Sequence, residues 1–505
     1  MTKRIAFNTL GCKLNQYETD SLASQFFRAG YEVVPYEAEA DAYVINTCTV
    51  TNKSDRKSRN MVNRATGRAV GTAGAPGAAV DAATRATGAA PATEAAFGRF
   101  EQPAENASSA TASEAIPPVP ASETRPVVVV TGCFVDSNRD YLAGRSDITY
   151  VVDNARKNNI FHIVDAHFRG EILDPARLDS DPFGYALAEK GFHTRSMVKI
   201  QDGCDNFCTF CIIPYVRGRA TSRPLPAVLD NVRRLVDAGT REVVLTGVNM
   251  GRYRDGESDF ADVVEAVLDL PGDFRVRISS LEPEPSDERF IDLLGHPKMC
   301  PHLHLCLQSG SERILLAMRR MYTLAGYLEF VERLRSRYPG FNLTTDVIVG
   351  FPGESDADFE ETARVCREVA FSHIHTFKYS RREGTRADRM PNQVSEVVKS
   401  ARSERIREIG SDNKRRYRST LLGSVQTVLV ESVDAEGCGQ GYGEHYVPVT
   451  VCAAEWQAQS SPRIAENRFC PVRLTALEEG EEPVFRGEPL RFPLAAIPQL
   501  AAPAR

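Results

Sequence analysis

Gly203-Cys204-Asp205-Asn206-Phe207-Cys208-Thr209-Phe210-Cys211-Ile212-Ile213-Pro214 decides how this 505-residue chain is read. The stretch follows an apolar run at 197–201 that reads as a strand, and from there strand and helix patterns alternate as far as residue 379. Strands are expected at 197–201, 242–248, 275–281, 302–307, 342–349 and 373–379, with helical patterns such as 227–238, 260–268, 312–319 and 356–370 between them. Six βα units imply a partial barrel whose functional side chains sit on loops after strand ends. Three thiolates on one such loop can hold three irons of a [4Fe–4S] cubane and leave the fourth iron open to a substrate-like ligand. Zinc would want a fourth protein ligand, and none is close in sequence, His193 lying ahead of the strand.

Upstream, strands are expected at 4–10, 41–47 and 127–131, an amphipathic helix at 15–29 closed by Gly30, and a basic helix at 52–68. This alternation predicts a parallel sheet covered by helices. Cys12, Cys48 and Cys133 each follow one of these strands, in Leu10-Gly-Cys, Asn46-Thr-Cys and Thr131-Gly-Cys. Carboxyl ends of parallel strands share one edge, so three cysteines remote in sequence can converge there. Gly11 and Gly132 would let backbone approach a bulky inorganic ligand. A second cluster is therefore expected. The segment 69–125 is rich in Ala, Gly, Thr, Ser and Pro and poor in large aliphatic residues, the composition of a disordered insertion.

Composition is that of a globular chain, 42% hydrophobic and 25% charged. The start has no apolar stretch of signal-sequence length and no later run reaches a membrane span, which points to the cytosol. Twelve cysteines in that compartment argue for metal or redox chemistry over a disulfide framework. Cys300, Cys306, Cys366, Cys438, Cys452 and Cys470 show no shared arrangement and read as ordinary thiols. His302, His304 and Cys306 alternate on one strand face and read as partly polar packing. The net charge of −6 excludes a uniformly basic nucleic-acid binder but leaves room for local patches. The region 396–418 reads as a basic helix; 425–433 and 446–451 read as strands with 437–443 as turn material, together a small β-barrel.

These motifs resemble the bacterial radical S-adenosylmethionine (SAM) methylthiotransferases, in particular the branch acting on N6-threonylcarbamoyladenosine in tRNA. The resemblance is carried by Leu10-Gly-Cys-Lys-Leu-Asn-Gln-Tyr-Glu-Thr-Asp20, Asn46-Thr-Cys-Thr-Val-Thr51, Thr131-Gly-Cys133 and the 203–214 stretch. Arg217-Gly-Arg219, Ser222-Arg223, Gln308-Ser-Gly-Ser311, Asp346-Val-Ile-Val-Gly-Phe-Pro-Gly-Glu354, Tyr379-Ser and Gly384-Thr385 extend it over nearly the whole chain outside 69–125 and parts of the C-terminal barrel. Lys13 and Tyr17 favour the threonylcarbamoyl branch.

The resemblance implies an α/β architecture: a Rossmann-like N-terminal domain (1–165), a partial (β/α)6 radical SAM barrel (190–418) and a small TRAM-like RNA-binding β-barrel (419–495). It implies that Cys204, Cys208 and Cys211 hold the cluster that reduces SAM, and that Cys12, Cys48 and Cys133 hold an auxiliary [4Fe–4S] cluster concerned with the inserted sulfur. One SAM would supply the methyl group; another would give a 5′-deoxyadenosyl radical that activates the adenine carbon between the two ring nitrogens, a C–H bond beyond the reach of acid–base chemistry. SAM contacts are expected from Phe210, Thr246, Gly247, Gln308, Ser309 and Asp346. Contacts to tRNA are expected from Lys53, Arg56, Lys57 and Arg59 on the helix after Cys48, with Arg64, and from Lys414, Arg415, Arg416 and Arg418 before the barrel. An external electron donor and a sulfur source complete the implied partners, with no membrane. Two other substrates fit the same chemistry, isopentenylated tRNA adenosine and an aspartate of a ribosomal protein. A reading of another class is a noncatalytic iron–sulfur or zinc protein that binds RNA and senses redox state.

Overall fold

The computed structural model describes residues 2–69, 125–186, 194–283, 288–452, 464–478, 480 and 482–490; nearly all of the 69–125 insertion lies outside them. The N-terminal sheet comprises β1 (Arg4–Thr9), β2 (Glu32–Val34), β3 (Ala42–Thr47), β4 (Val127–Gly132) and β5 (Tyr150–Val152), all parallel in the order β2-β1-β3-β4-β5. Three of these strands coincide with the sequence reading; β2 and β5 are three-residue edges too short to leave a period. The sheet is covered on both faces because β4 alternates. Val127 and Val129 pack with Tyr17, Leu22 and Phe26 of α1 (Lys13–Arg28), and Val128 and Val130 pack with Met61, Val62 and Ala65 of α2 (Asn52–Ala69). Two short helices, α3 (Cys133–Ser137) and α4 (Arg139–Ala143), follow β4, and α5 (Ile160–Phe168) closes the α1 face.

The second unit begins at β6 (Ser196–Lys199). A two-stranded ribbon, β7 (Gln201–Asp202) with β8 (Thr221–Ser222), encloses α6 (Ile213–Val216). Then come α7 (Leu225–Asp237), β9 (Glu242–Thr246), α8 (Phe260–Leu268), β10 (Arg275–Ile278), α9 (Glu288–Leu293), β11 (His302–His304), α10 (Glu312–Ala317), α11 (Leu324–Arg337), β12 (Asn342–Val349), α12 (Asp356–Val369) and β13 (His373–Lys378). β6-β9-β10 and β11-β12-β13 are parallel triplets joined by single parallel bridges, Val276 to Met299 and Leu281 to Leu305. The result is the open six-stranded arc expected from the sequence. Its core is built from Val and Leu on the strands and the apolar stripes of α7, α8, α11 and α12. Capping boxes at Asp259/Asp262 and Ser355/Asp358 satisfy the first N–H groups of α8 and α12.

The long helix α13 (Glu396–Leu421) leads into β14 (Val425–Val433), β15 (Gly439–Tyr442), β16 (Pro448–Val451), β17 (Phe469–Glu478) and β18 (Val484–Pro489), which close as β14-β15-β16-β18-β17, a small TRAM-like barrel. Two expectations are corrected here. Most of 437–443 is strand β15, because its backbone completes the ladder between β14 and β16; its glycines suggested a turn. Cys438 and Cys452 are joined in a disulfide. The β15–β16 register pairs Gly439 with Val451, so the flanking cysteines face each other with Cα atoms 4.2 Å apart. No helix among the described residues is long and apolar enough to cross a membrane.

Candidate active site

The 203–214 loop leaves the ribbon at the carboxyl end of β6. Gly203 has φ +67°, and a Cβ there would lie 2.0 Å from the Arg219 carbonyl oxygen, so only glycine lets the loop start against the returning Arg217-Gly-Arg219 segment. The Cys204 amide donates to the Gly218 carbonyl at 3.1 Å, and the Cys211 amide to the Cys208 carbonyl at 2.9 Å, winding the three thiols around one turn. Thr209 pins the loop to the end of α10, its amide and hydroxyl donating to the Met318 and Ala317 carbonyls. Gln201 ties it to the end of β9: its Oε1 accepts from the Val248 and Asn249 amides, and its Nε2 donates to the Asp202 and Gly203 carbonyls.

The Cys208 Sγ accepts from Arg320 Nη1 at 3.2 Å, and Arg320 pairs with Glu282 at 3.1 Å; Glu282 in turn accepts from Asn206. Burial, then the neighbouring thiol of Cys208, pushes the Cys211 thiol up to about 12. Such groups ionise on coordination to a cation. The donor set fits a cubane held by three cysteines.

On the N-terminal domain the register pairs Asn46 with both Thr9 and Thr131, and Thr47 with Gly132, so Cys12, Cys48 and Cys133 emerge side by side from adjacent strands. Each thiol acts electrostatically on its neighbours; Cys133 is pushed up to about 11 by burial against the pull of Arg217 and Lys157. Gly11, at φ +110°, lies so close to Cys48 that a Cβ would meet its Cβ at 2.9 Å and its Sγ at 3.0 Å. Asn15 holds the turn, its Nδ2 donating to the Leu10 and Thr47 carbonyls at 2.7 and 2.9 Å. Within each set the thiols lie near enough to act electrostatically on one another, and the donor types of the second set also suit a three-cysteine cubane.

The two sets meet through charges that sequence reasoning missed. Glu18, 1% exposed, accepts from Lys157 at 2.6 Å, Lys199 at 3.0 Å and Arg217 at 3.1 Å. Asp202 pairs with Lys199 at 2.5 Å and Arg217 at 3.1 Å, and Arg217 Nη2 donates to Asn15 Oδ1 at 2.7 Å. Arg217 therefore grips the Cys12 turn with its side chain, while the next carbonyl, Gly218, holds Cys204. The one available signal was the Arg217-Gly-Arg219 string itself.

Residues 198–366 match the family model described as Radical SAM superfamily, and residues 4–77 that described as Uncharacterized protein family UPF0004. The threonylcarbamoyladenosine tRNA methylthiotransferase MtaB of Bacillus subtilis is 36% identical over 459 residues, covering 89% of this chain and 91% of that protein. Its counterpart in Thermotoga maritima is 32% identical, covering 88% and 90%. The tRNA-2-methylthio-N(6)-dimethylallyladenosine synthase of Syntrophus aciditrophicus is 31% identical, covering 85% and 84%. The chain belongs to the MtaB-like radical SAM tRNA methylthiotransferases. It is accordingly a transferase whose cofactors are SAM and [4Fe–4S] clusters.

In this methylthiotransferase the residues expected to contact SAM ring the mouth of the arc, with unequal freedom. Thr246 is buried and shares a hydrogen bond with Ser279; Gly247 packs against Met250 and Gln201. The Ser309 hydroxyl is engaged with Thr362, so it supports its own loop. Phe210 stands edge-on to Phe351 at 6.5 Å. Gln308 takes a left-handed backbone, φ +63°, its N–H donating to the Asp346 carbonyl. The Asp346 carboxylate faces His304 at 3.3 Å and Cys306 at 4.0 Å, and these three bring one ligand atom each within 4.8 Å of one another. Asn249, unmarked in the sequence, is buried, and its side chain reaches the Cys204 thiol, opposing the rise that burial gives that group.

The expected RNA-contacting residues divide likewise. Lys53, Arg56, Lys57 and Arg59 are exposed along α2, Arg59 also lying 5.6 Å over the Phe134 and Tyr141 rings. Arg415 and Arg416 are exposed on α13. Lys414 is paired with Glu482 at 2.7 Å, and Arg418 is buried against Glu482 and the Pro483 carbonyl, its charge spent on docking β18 to the helix.

Proposed function

We propose that this methylthiotransferase acts on tRNA carrying N6-threonylcarbamoyladenosine next to the anticodon and converts it to the 2-methylthio derivative. The observation that carries the reading is the Arg217–Gly218 link, which fixes two separate three-cysteine sets at one domain junction. An enzyme that only cleaved SAM would need one such set; sulfur insertion gives the second a purpose. The relatives from Bacillus subtilis and Thermotoga maritima bear the threonylcarbamoyladenosine name, which supports this substrate over the dimethylallyl one.

On this reading Cys204, Cys208 and Cys211 hold the SAM-cleaving cluster, and Cys12, Cys48 and Cys133 the auxiliary one. Bound there, the clusters supply electron transfer to SAM and a site for the sulfur to be inserted. The chain's own contribution is placement. Gln201 and Thr209 fix the cysteine loop, and Arg320 balances thiolate charge at Cys208. Asn249, Thr246, Gly247, Gln308, Phe210 and Asp346 line the place of the SAM. The exposed cations of α2, with Arg415 and Arg416, meet phosphate, and the barrel 419–495 takes further RNA contacts. Domain limits follow as 1–165, 190–418 and 419–495. An external electron donor, a sulfur source and a cytoplasmic setting complete the proposal.

Nucleoside mass spectrometry of tRNA from a deletion strain tests it. The methylthio-threonylcarbamoyladenosine peak should vanish and return on complementation. An undiminished peak, with loss of the methylthio-isopentenyl nucleoside in its place, would assign the substrate to the other branch.

A further inference from the structure

The strand lines of β11 and β12 present two different faces. Leu303, Leu305 and Leu307, with Leu343, Val347 and Val349, pack into the core alongside α11 and α12, so the residues between them face the hollow of the arc. These are His302, His304 and Cys306 on one line and Thr344 and Asp346 on the next, His304 standing in register with Thr344. The alternation that suggested partly polar packing therefore gathers three kinds of metal donor, an imidazole, a thiol and a carboxylate, on one face.

Their geometry is closer than packing requires. His304 Nε2 stands 3.3 Å from Asp346 Oδ1, and the Cys306 thiol donates to Asp346 Oδ2 at 4.0 Å. One ligand atom from each residue lies within 4.8 Å of the other two. In a tetrahedral zinc site with bonds of ~2.0–2.3 Å, such ligand atoms stand ~3.3–3.6 Å apart, a separation the nitrogen–oxygen pair already has. The imidazole is also turned for ligation. Its Nδ1 shares a hydrogen bond with the Thr344 hydroxyl at 3.0 Å, which leaves Nε2 toward Asp346. A partner on the second ring nitrogen is how a ligating histidine is held in place. Backbone bonds fix all three residues: the Cys306 N–H donates to the Leu281 carbonyl, and His304 and Asp346 lie in the β11–β12–β13 ladder. The His304 and Asp346 side chains are 12% and 28% exposed, so the point is reachable from the hollow.

We propose that His304, Cys306 and Asp346 bind one zinc-type divalent cation, using none of the six cluster cysteines, with the fourth position left to water. A carboxylate and a thiolate match the charge of a divalent ion, the Cys306 proton being released to solvent on binding. Thiolate with imidazole selects zinc over magnesium or calcium, which prefer oxygen donors. An ion so held offers a Lewis-acid position to an anionic oxygen within the hollow. The site is independent of which tRNA is the substrate.

The test uses the reconstituted holoenzyme with about eight irons per chain, so that the six cluster cysteines are occupied. It is given one equivalent of zinc sulfate and desalted; zinc and iron are then counted together. The zinc K-edge absorption spectrum reads the shell of that ion apart from the iron. About one zinc per chain should be retained with iron unchanged, its shell holding one sulfur at ~2.3 Å and nitrogen or oxygen at ~2.0–2.2 Å. Cys306→Ser should remove the sulfur from that shell. Thr344→Val removes the hydroxyl that holds His304, and should weaken zinc binding by about 10- to 100-fold in titration against a chelator. The spectrum of the unaltered enzyme decides the matter even if a variant fails to fold. Zinc lost on desalting, a shell of three or four sulfurs, or a spectrum unchanged by Cys306→Ser overturns the assignment.

Discussion

Replacing Glu18 by glutamine keeps the shape of a buried side chain and removes its charge. In the folded protein that charge answers Lys157 and Lys199, which are 0% and 1% exposed, and Arg217. Among the described residues Asp202 would be left as the only acid paired with Lys199 and Arg217, and Lys157 would keep the Asn46 side-chain oxygen Oδ1 at 3.1 Å. Breaking a buried pair from one side costs about 3–5 kcal/mol, because the orphaned cation stays desolvated. At about 1.4 kcal/mol per factor of ten, the junction should open roughly a hundredfold to a few thousandfold more often. Native-state hydrogen exchange reads this directly. Protection should fall in α1 and β6, which carry Glu18 and Lys199, and should hold in the remote β14–β18 barrel. Adding Lys157→Met should recover part of the loss by removing one orphan. The pH dependence is fixed by sign. Burial alone would raise the Glu18 carboxyl, but Arg217, Lys157 and Lys199 together hold it well below its ordinary value of 4.5. Its stabilisation is thus complete above pH ~4.5 and is lost as pH falls through the lower folded value, an acid limb that Glu18→Gln should lack. A change in α1 protection under about threefold, or one spread evenly over all three units, would refute the account.

Asn249→Ala removes the buried amide beside Cys204, and should raise KM for SAM by about 10- to 100-fold with KM for tRNA and iron content unchanged; steady-state kinetics with SAM varied would detect it. Lys53→Ala with Lys57→Ala removes two exposed cations of α2, and should flatten the slope of log K against log salt for tRNA binding by about 2. Cys452→Ser opens a crosslink spanning 14 residues, and should cost the C-terminal barrel about 3 kcal/mol in urea unfolding. The unaltered enzyme should show the same loss in strong reductant, and the variant should be indifferent to it. Alanine at Cys12, Cys48 or Cys133 should lower iron from about eight to about four per chain, with 5′-deoxyadenosine still formed; loss of SAM cleavage would contradict the division of roles.

The arc and both cysteine sets were legible because each rests on local signals: apolar runs of period two, and Gly-Cys or Thr-Cys at strand ends. The three-residue strands β2 and β5 left no such signal. Glu18, Lys157, Lys199 and Arg217 look like solvated charges in any local window, and only the meeting of two domains buries them. The Cys438–Cys452 bond depends on hairpin register, which 437–443, read as a turn, concealed. Arg418 read as a cation for RNA because a charge run along a helix does not say which of its members the next strand will cover.

The cysteines of the N-terminal set owe their spacing to the backbone ladder of β1, β3 and β4, whose neighbours stand ~4.8 Å apart in any sheet. The distance along the chain between Cys48 and Cys133 is irrelevant to that spacing. Chain added between α2 and β4 costs closure entropy only logarithmically and shifts no ligand. The ladder works as a jig: chain length outside it can change while the three strand ends that lead to the cysteines stay in register.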